Sequence, residues 1–313
     1  MRKKCDTLFF GTCAVLLYHR INELETDPQL LSVSTVHFDE HVAYLRKNYN
    51  LLTINEFENF LKNKKRFPKN SVIITFDDGY ADNYLKAIPV LEKHNAQAIF
   101  YIATGTINTT NEYWWDAIER IVLLSSRSPT KSSFELNGTK FNLTNISSSE
   151  RVKLYEDLLP KLRQMKSFER EEKIAELADI FNSTEGRITH RAMTFEELKK
   201  MGKSKSAIIG AHTHLHPSLG ALSKQDQYEE IKLSKDILEK LLNKEITHFS
   251  YPFGTRADFN ANSLNIMQQL NFSFSAANFP SLVNPNSNKL KFPRYLVRDW
   301  DIETFEMKMS GFF

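Results

Sequence analysis

Two short segments carry side chains whose types and spacing suit catalysis. Asp77-Asp78 follow directly on the apolar run at residues 72–76 and precede Gly79. Neighbouring carboxylates after a strand point in different directions, so one can face a metal while the other faces a substrate; Asp-Gly is equally a turn dipeptide. His212, His214 and His216, three of the chain's nine histidines, fall within five residues after the apolar run at 207–210. The four-residue spacing of His212 and His216 predicts both rings on one side of a helical turn, with His214 aimed elsewhere. A carboxylate with two imidazoles suits a catalytic divalent ion with positions left for water and substrate. Zinc is the first candidate, and cobalt, nickel and iron fit the same donors. A third segment, residues 249–254, joins Pro252, which fixes the backbone, to Gly254, which admits a close approach. Such a turn could aim a backbone N–H at a developing oxyanion. A plain strand-to-loop turn accounts for it as well.

Alternating elements would bring these segments together. Runs at 15–18, 51–53, 72–76 and 98–102 are short, apolar and β-branched or aromatic, which predicts strands. Residues 37–48, 54–62 and 83–94 have apolar side chains at helical spacing, the last with Leu85, Ile88 and Leu91 on one face. That alternation predicts parallel βα units. It resumes with a helix capped by Thr194 and Glu197, strands at 207–210 and 248–251, a helix from Ser223 to about Asn243, and strands at 272–275 and 295–297. Seven or eight such strands predict a barrel, whose C-terminal strand ends share one face. Between them, residues 107–192 break the rhythm: an aromatic helix around Trp114 and Trp115, a hairpin turning at Asn137-Gly138, and charged helices over 148–181. This reads as an insertion within one domain spanning 1–313.

The balance of 41 Lys and Arg against 38 Asp and Glu lacks the excess of a dedicated nucleic-acid binder. Cys5 and Cys13 form no disulfide framework or metal-ligand pair. Met1 to Lys4 followed by Leu8-Phe9-Phe10 has the outline of an export signal, but Asp6 interrupts it and no small-residue cleavage site follows. The expectation is therefore a cytoplasmic protein, with association at a membrane surface open and a periplasmic or extracellular one second.

The segments 74–80 and His212-Thr213-x-x-His216-Pro217 resemble the polysaccharide deacetylase family (NodB homology, carbohydrate esterase 4). The resemblance covers roughly residues 14–106 and 205–300. It implies a distorted (β/α)7 barrel, to which the helical and hairpin insertion is added outside the shared motifs, and removal of an N-acyl group, acetyl first, from an amino sugar. It assigns Asp77 as general base and Asp78, His212 and His216 as metal ligands. Thr213 would steady the histidine loop, and the Phe253 N–H would hold the oxyanion. Tyr80 and Trp115 are expected on the substrate side, although aromatic clusters at helical spacing are more often core. Two departures stand out. Ser250 occupies the place where the family has an arginine that tethers the base, so Arg294 is expected to do this. The family's C-terminal Leu-x-His is absent. Leu17-Tyr18-His19-Arg20 resembles the start of circularly permuted members, in which His19 would be the catalytic acid. The implied partner is an N-acetylated sugar or glycan of a bacterial surface, or its nucleotide-linked or lipid-linked precursor. Two rivals stay open: a non-catalytic carbohydrate binder on the same barrel, and a deformylase or amidase acting on another substrate.

Overall fold

The computed structural model describes residues 11–312. Cys5 and the N-terminal stretch weighed above as an export signal lie outside the described residues. Seven parallel strands build the scaffold: β1 Cys13–Tyr18, β2 Ser71–Phe76, β3 Ala98–Ile102, β4 Ala207–Ala211, β5 His248–Ser250, β6 Phe274–Ala276 and β7 Tyr295–Leu296. Their order is β6-β5-β4-β3-β2-β1-β7. The sheet curls, and the chain entering β7 approaches the far edge: Phe292 donates its N–H to Ser275 O and accepts from Ala277 N. The result is the expected distorted (β/α)7 barrel.

Register explains why one end of the barrel collects the polar residues. Tyr18 pairs with Phe76, Phe76 with Phe100, Ile102 with Ala211, Phe249 with Ala211, and Ser250 with Ala276. Leu17 pairs with Leu296. His19, Asp77, His212 and Ser250 therefore emerge at one level. Side chains alternate across each strand. Cys13, Val15, Ile73, Ile99, Tyr101, Phe274 and Ala276 form one buried cluster with Phe57 and Phe67. Their alternates, including Leu16, Ile74, Phe76 and Phe100, pack with the surrounding helices. Burial on both faces is why β1 and β2 read as continuous apolar runs.

The helices follow the sequence pattern closely, with instructive exceptions. α1 is Thr35–Asn48 and α2 Ile54–Lys62. The strand expected at 51–53 shrinks to Asn50–Leu51, because Thr53 caps α2 in a reciprocal box with Glu56. At the far edge, Phe272 and Ser273 stay outside β6, Ser273 N bonding Thr247 O. The single helix expected over 83–94 begins with a π-wound turn, Asn83–Ala87, before α3, Ile88–Lys93. Pro89 has no N–H to give a regular turn. The wider turn rotates Leu85 outward to 53% exposure while Ile88 and Leu91 stay buried.

Residues 107–192 hold α4 Trp114–Ile118, a hairpin of Ser133–Leu136 with Thr139–Asn142, α5 Ser148–Arg163 and α6 Ser167–Ile180. Asn137 and Gly138 both have positive φ, as the tight turn requires. α7 Phe195–Met201, α8 Lys224–Leu242, α9 Ala261–Gln269 and α10 Ile302–Phe312 complete the set. No helix among the described residues is long and apolar enough to cross a membrane.

α1 also sets a pH limit on stability. The fully buried His41 accepts from the Tyr18 hydroxyl at Nδ1 (3.2 Å) and donates from Nε2 to Trp300 O (2.8 Å). The bond accepted at Nδ1 needs the neutral ring, and burial pushes the pKa down to about 4 although the bond to Trp300 O pulls the other way. Between the unfolded value near 6.5 and 4, the unfolded chain binds the extra proton, so stability falls as pH falls through that window. The expected loss is about 3 kcal/mol, read by urea denaturation at a series of pH values. A His41→Gln variant should flatten the profile; an unchanged slope would rule His41 out.

Candidate active site

The Asp77-Asp78-Gly79 turn is built from strained backbone. Asp78 has φ 77° and Gly79 φ 94°. A Cβ on Gly79 would lie 3.1 Å from the Ile102 side chain, so glycine is required there. The reversed Asp78 backbone is held by the Tyr113 hydroxyl and the Ala103 N–H, both donating to Asp78 O at 2.6 and 3.0 Å.

The two carboxylates then diverge. Asp78 Oδ1 lies 3.5 Å from His212 Nε2 and 3.4 Å from His216 Nε2, and the two ring nitrogens are 3.1 Å apart. Donors about 2.0–2.1 Å from a tetrahedral ion sit roughly 3.3–3.4 Å from one another, so this triangle has the size of a zinc-like site. His212 donates from Nδ1 to Ser250 O at 2.7 Å, which leaves its Nε2 lone pair facing the group. All three side chains are buried, and these residues could hold a divalent ion. Burial alone would push His212 down, but Asp77 and Asp78 hold it above its usual range. Burial pushes His216 down to about 4, towards the neutral form that binds metal. Burial also raises Asp78, but the two histidines reverse this and hold it far below the carboxylate range.

No helical turn joins the histidines. They converge through a loop in which Thr213 (φ 65°) and His216 (φ 52°) are left-handed. Thr213 Oγ1 donates to His212 O (2.5 Å) and accepts from His216 N (3.1 Å). Glu230 of α8 accepts from the His214 and Leu215 N–H groups at 3.0 and 2.8 Å. Arg170 of α6, buried, donates to Leu215 O at 2.6 Å. His214 turns aside to Thr104 Oγ1 at 2.9 Å. Nothing in the sequence marks Glu230 and Arg170: each lies on a charged helix among many like residues. Arg170→Met is expected to loosen the loop and weaken zinc affinity roughly 10–100-fold, the usual cost of losing a group that orients a ligand. Competition with a chromophoric chelator measures it; unchanged affinity would make Arg170 only a packing residue.

Asp77 stands beside this group, with Oδ2 3.8 Å from His212 Nε2. Arg294 grips it with NH1 on Oδ1 and NH2 on Oδ2, both at 2.7 Å. Ser250 accepts from Arg294 (2.8 Å) and donates to Asp77 Oδ2 (3.2 Å). The serine standing where an arginine was expected is thus a junction between Asp77, Arg294 and His212. Burial pushes the Asp77 carboxyl up, but Arg294 and His212 outweigh it and hold it below the usual range. His19, one residue past β1, lies in the field of both aspartates; burial lowers it against their pull, and its Nδ1 has no hydrogen-bond partner. The segment bearing it is anchored by the buried Arg20–Asp82 pair (3.0 Å) and by Asn83 donating to His19 O (2.8 Å).

The aromatic residues serve differently from expectation. Tyr80 exposes no surface; its hydroxyl donates to Asp116 and accepts from the Trp115 indole N–H. A direct contact of Tyr80 with substrate is therefore corrected to support of Trp115. The Trp115 ring covers His216 at 4.6 Å, and Phe253 covers it from another side at 4.8 Å. Phe253 has φ 60°, and no acceptor for its N–H stands among the described residues. A second grouping, Asp116, Glu119 and His190, lies behind Trp115. Glu119 is already paired with Arg187, and burial, Arg20 and Arg187 push His190 down to about 3. Cationic side chains already occupy that field, so it is read as an ion-paired support.

Known proteins share this arrangement of elements. The structure of a Streptococcus pyogenes deacetylase, PplD, in complex with acetate overlays with a TM-score of 0.61 at 20% identity, covering 95% of this chain and 98% of that one. The poly-β-1,6-N-acetyl-D-glucosamine N-deacetylase of Staphylococcus aureus is 23% identical over 282 residues, 90% of this chain and 73% of its own length. YxkH of Bacillus subtilis, named as a polysaccharide deacetylase, is 29% identical over 147 residues, 46% of this chain; the match spans about half of that protein, 51%. The family model for polysaccharide deacetylase matches residues 64–124 and 178–275, passing over 125–177. Those matches carry both the Asp77-Asp78 turn and the His212–His216 loop, and the chain belongs to the polysaccharide deacetylase family.

Proposed function

We propose that the chain is a divalent-metal-dependent N-deacetylase acting on an N-acetylated amino sugar of a bacterial surface glycan or its precursor. The observation that carries this reading is the buried triangle of Asp78, His212 and His216 with a separate carboxylate, Asp77, at its side. A divalent ion in such a site supplies Lewis acidity, polarising a carbonyl and making water nucleophilic near neutral pH. Asp77 takes the proton of the attacking water. Among the described residues its Oδ1 accepts only from Arg294, which leaves a lone pair for that proton. The Phe253 N–H faces the oxyanion, and His19 gives a proton to the departing amine. Thr213 and Trp115 keep His216 in place.

Acetate release from N-acetylglucosamine oligosaccharides tests the reading. Release should stop when a chelator removes the metal and return with zinc, cobalt, nickel or iron. Release of formate from N-formyl analogues in preference to acetate would move the activity to deformylation. Binding of the glycan without any release would make the chain a carbohydrate-binding relative.

A further inference from the structure

The turn that carries the Phe253 N–H is strained and has to be held. Phe253 is left-handed with φ 60°, and Gly254 follows with φ 66°. A residue other than glycine keeps such backbone only where its surroundings fix it. One side of the turn is fixed by the barrel: Asn278, just past β6, donates its N–H to Gly254 O at 2.7 Å. The other side is fixed by Asp258, which is buried. Its carboxylate accepts from Thr255 N at 3.0 Å and from the Thr255 hydroxyl, closing the turn on itself. It also accepts from Ser218 Oγ at 2.9 Å, two residues beyond His216. Gly220 N donates to Asp258 O at 2.8 Å, and a Cβ on Gly220 would lie 2.0 Å from Ala257 O. The histidine loop and the turn are therefore packed backbone to backbone.

The remaining partner comes from the insertion. Arg163, the last residue of α5, gives NH2 to both oxygens of Asp258 at 2.6 and 2.5 Å. Among the described residues it is the one ion-pair partner of that buried carboxylate. The same guanidinium lies over the Phe253 ring, 3.9 Å from its centroid, and that ring covers His216 at 4.8 Å. A single side chain thus neutralises the carboxylate that closes the turn and presses on the residue at its strained point. The helix that delivers it is itself fixed, because Leu158 and Leu162 are fully buried. The family match passes over residues 125–177, so Arg163 belongs to the part of the chain that it leaves out.

We infer that Arg163 and Asp258 are positioning residues: the inserted helix clamps the turn so that the Phe253 N–H keeps the aim that a tetrahedral oxyanion needs. This rests on the proposed deacetylase reading and gives the insertion a part in that reaction. A donor held in place before the charge develops stabilises it without reorganising, which is the source of its effect on rate.

The test compares the zinc-loaded wild-type chain with Asp258→Asn, Arg163→Met and Arg163→Lys in acetate release from an N-acetylglucosamine tetramer. Asp258→Asn and Arg163→Met should each lower kcat about 10- to 100-fold, the cost of aiming one donor wrongly, with KM and zinc content little changed. Arg163→Lys keeps a charge for Asp258 but has no plane to lay on Phe253, so it should recover stability to urea more than it recovers kcat. The double variant Asp258→Asn, Arg163→Met should lose no more than the worse single one, since both act through one turn. A second measurement separates positioning from packing. In the Asp77→Asn background, tryptophan fluorescence reads the affinity for two ligands: the tetramer, and a tetramer with a methylphosphonamidate in place of one acetamide. The charged oxygen of the second imitates the oxyanion. Asp258→Asn should weaken the phosphonamidate by the factor lost from kcat and leave the tetramer alone. If Arg163→Met does not fold, Asp258→Asn carries both measurements, because the Arg163 it leaves unpaired is part-exposed and can be hydrated. Unchanged kcat in folded variants, equal weakening of both ligands, or losses that multiply in the double variant would overturn the inference and leave the deacetylase reading standing. No acetate from any substrate with the wild-type chain would sink that reading and the inference with it.

Discussion

Replacing Asp77 with asparagine is expected to cut turnover by about 10²- to 10⁴-fold while the divalent ion stays bound. Asparagine keeps the shape of the side chain but cannot take a proton. The expectation follows from the division of labour between the two aspartates. Asp78 Oδ1 lies 3.4–3.5 Å from both ring nitrogens, whereas Asp77 lies 3.8 Å from one. Asp77 is instead held by Arg294 and Ser250, and the guanidinium and His212 keep it ionised despite burial. Steady-state kinetics and metal analysis of the purified variant are read together. Loss of the ion in proportion to activity would place Asp77 among the ligands. Retention of activity within tenfold would remove it as the base. Asp78→Asn provides the contrast and should lose the ion first.

Much of this arrangement could be read from the order of residues, for a physical reason. In a parallel barrel every strand ends on the same face, so polar residues placed just after apolar runs must meet. The segments at 72–78, 207–212 and 248–250 obey that rule, and the strand registers bring their ends level. What resisted reading was backbone detail. The four-residue spacing of His212 and His216 suggests a helical turn, but two left-handed residues and the Thr213 hydroxyl produce the same convergence in a loop. Leu85 fits the apolar face of a helix until the π-wound turn ahead of Pro89 rotates it into solvent. Supports were harder still. Ser250 looks like the loss of a charged group, and its importance lies in a hydroxyl and a carbonyl that bond three different partners. Arg163 and Arg170 come from helices that read only as part of a charged insertion. Their guanidiniums instead reach Asp258 and Leu215 O, beside the site. Charge patterning identifies an exposed helix well but not which of its cations turns inward.

Arg294→Met should be the most damaging substitution for the folded state. The guanidinium is buried, and all five of its N–H groups are used: Nε on Ala277 O (3.0 Å), NH1 on Thr75 Oγ1 (3.2 Å) and Asp77 Oδ1, NH2 on Asp77 Oδ2 and Ser250 Oγ. Methionine fills comparable space without any donor, and Asp77 is left buried and unmatched. Breaking a buried pair from one side costs about 3–5 kcal/mol, because the remaining charge keeps its desolvation penalty. Asp77 then gains a proton more readily, since burial is no longer opposed by Arg294. The sign is fixed: a depressed carboxylate pKa that rises moves the acid limb of the rate profile to higher pH. Arg294→Lys restores a point charge but not the two-pronged grip, so it should recover part of the stability and little of the profile. Urea denaturation and the pH dependence of kcat provide the readouts. The Asp77→Asn, Arg294→Met double variant should lose much less stability than the two single losses added together, because the unmatched charge is gone. A cost below about 1 kcal/mol for Arg294→Met, well under that of a broken buried pair, would mean that Asp77 does not depend on Arg294. Strict additivity in the double variant would mean the same.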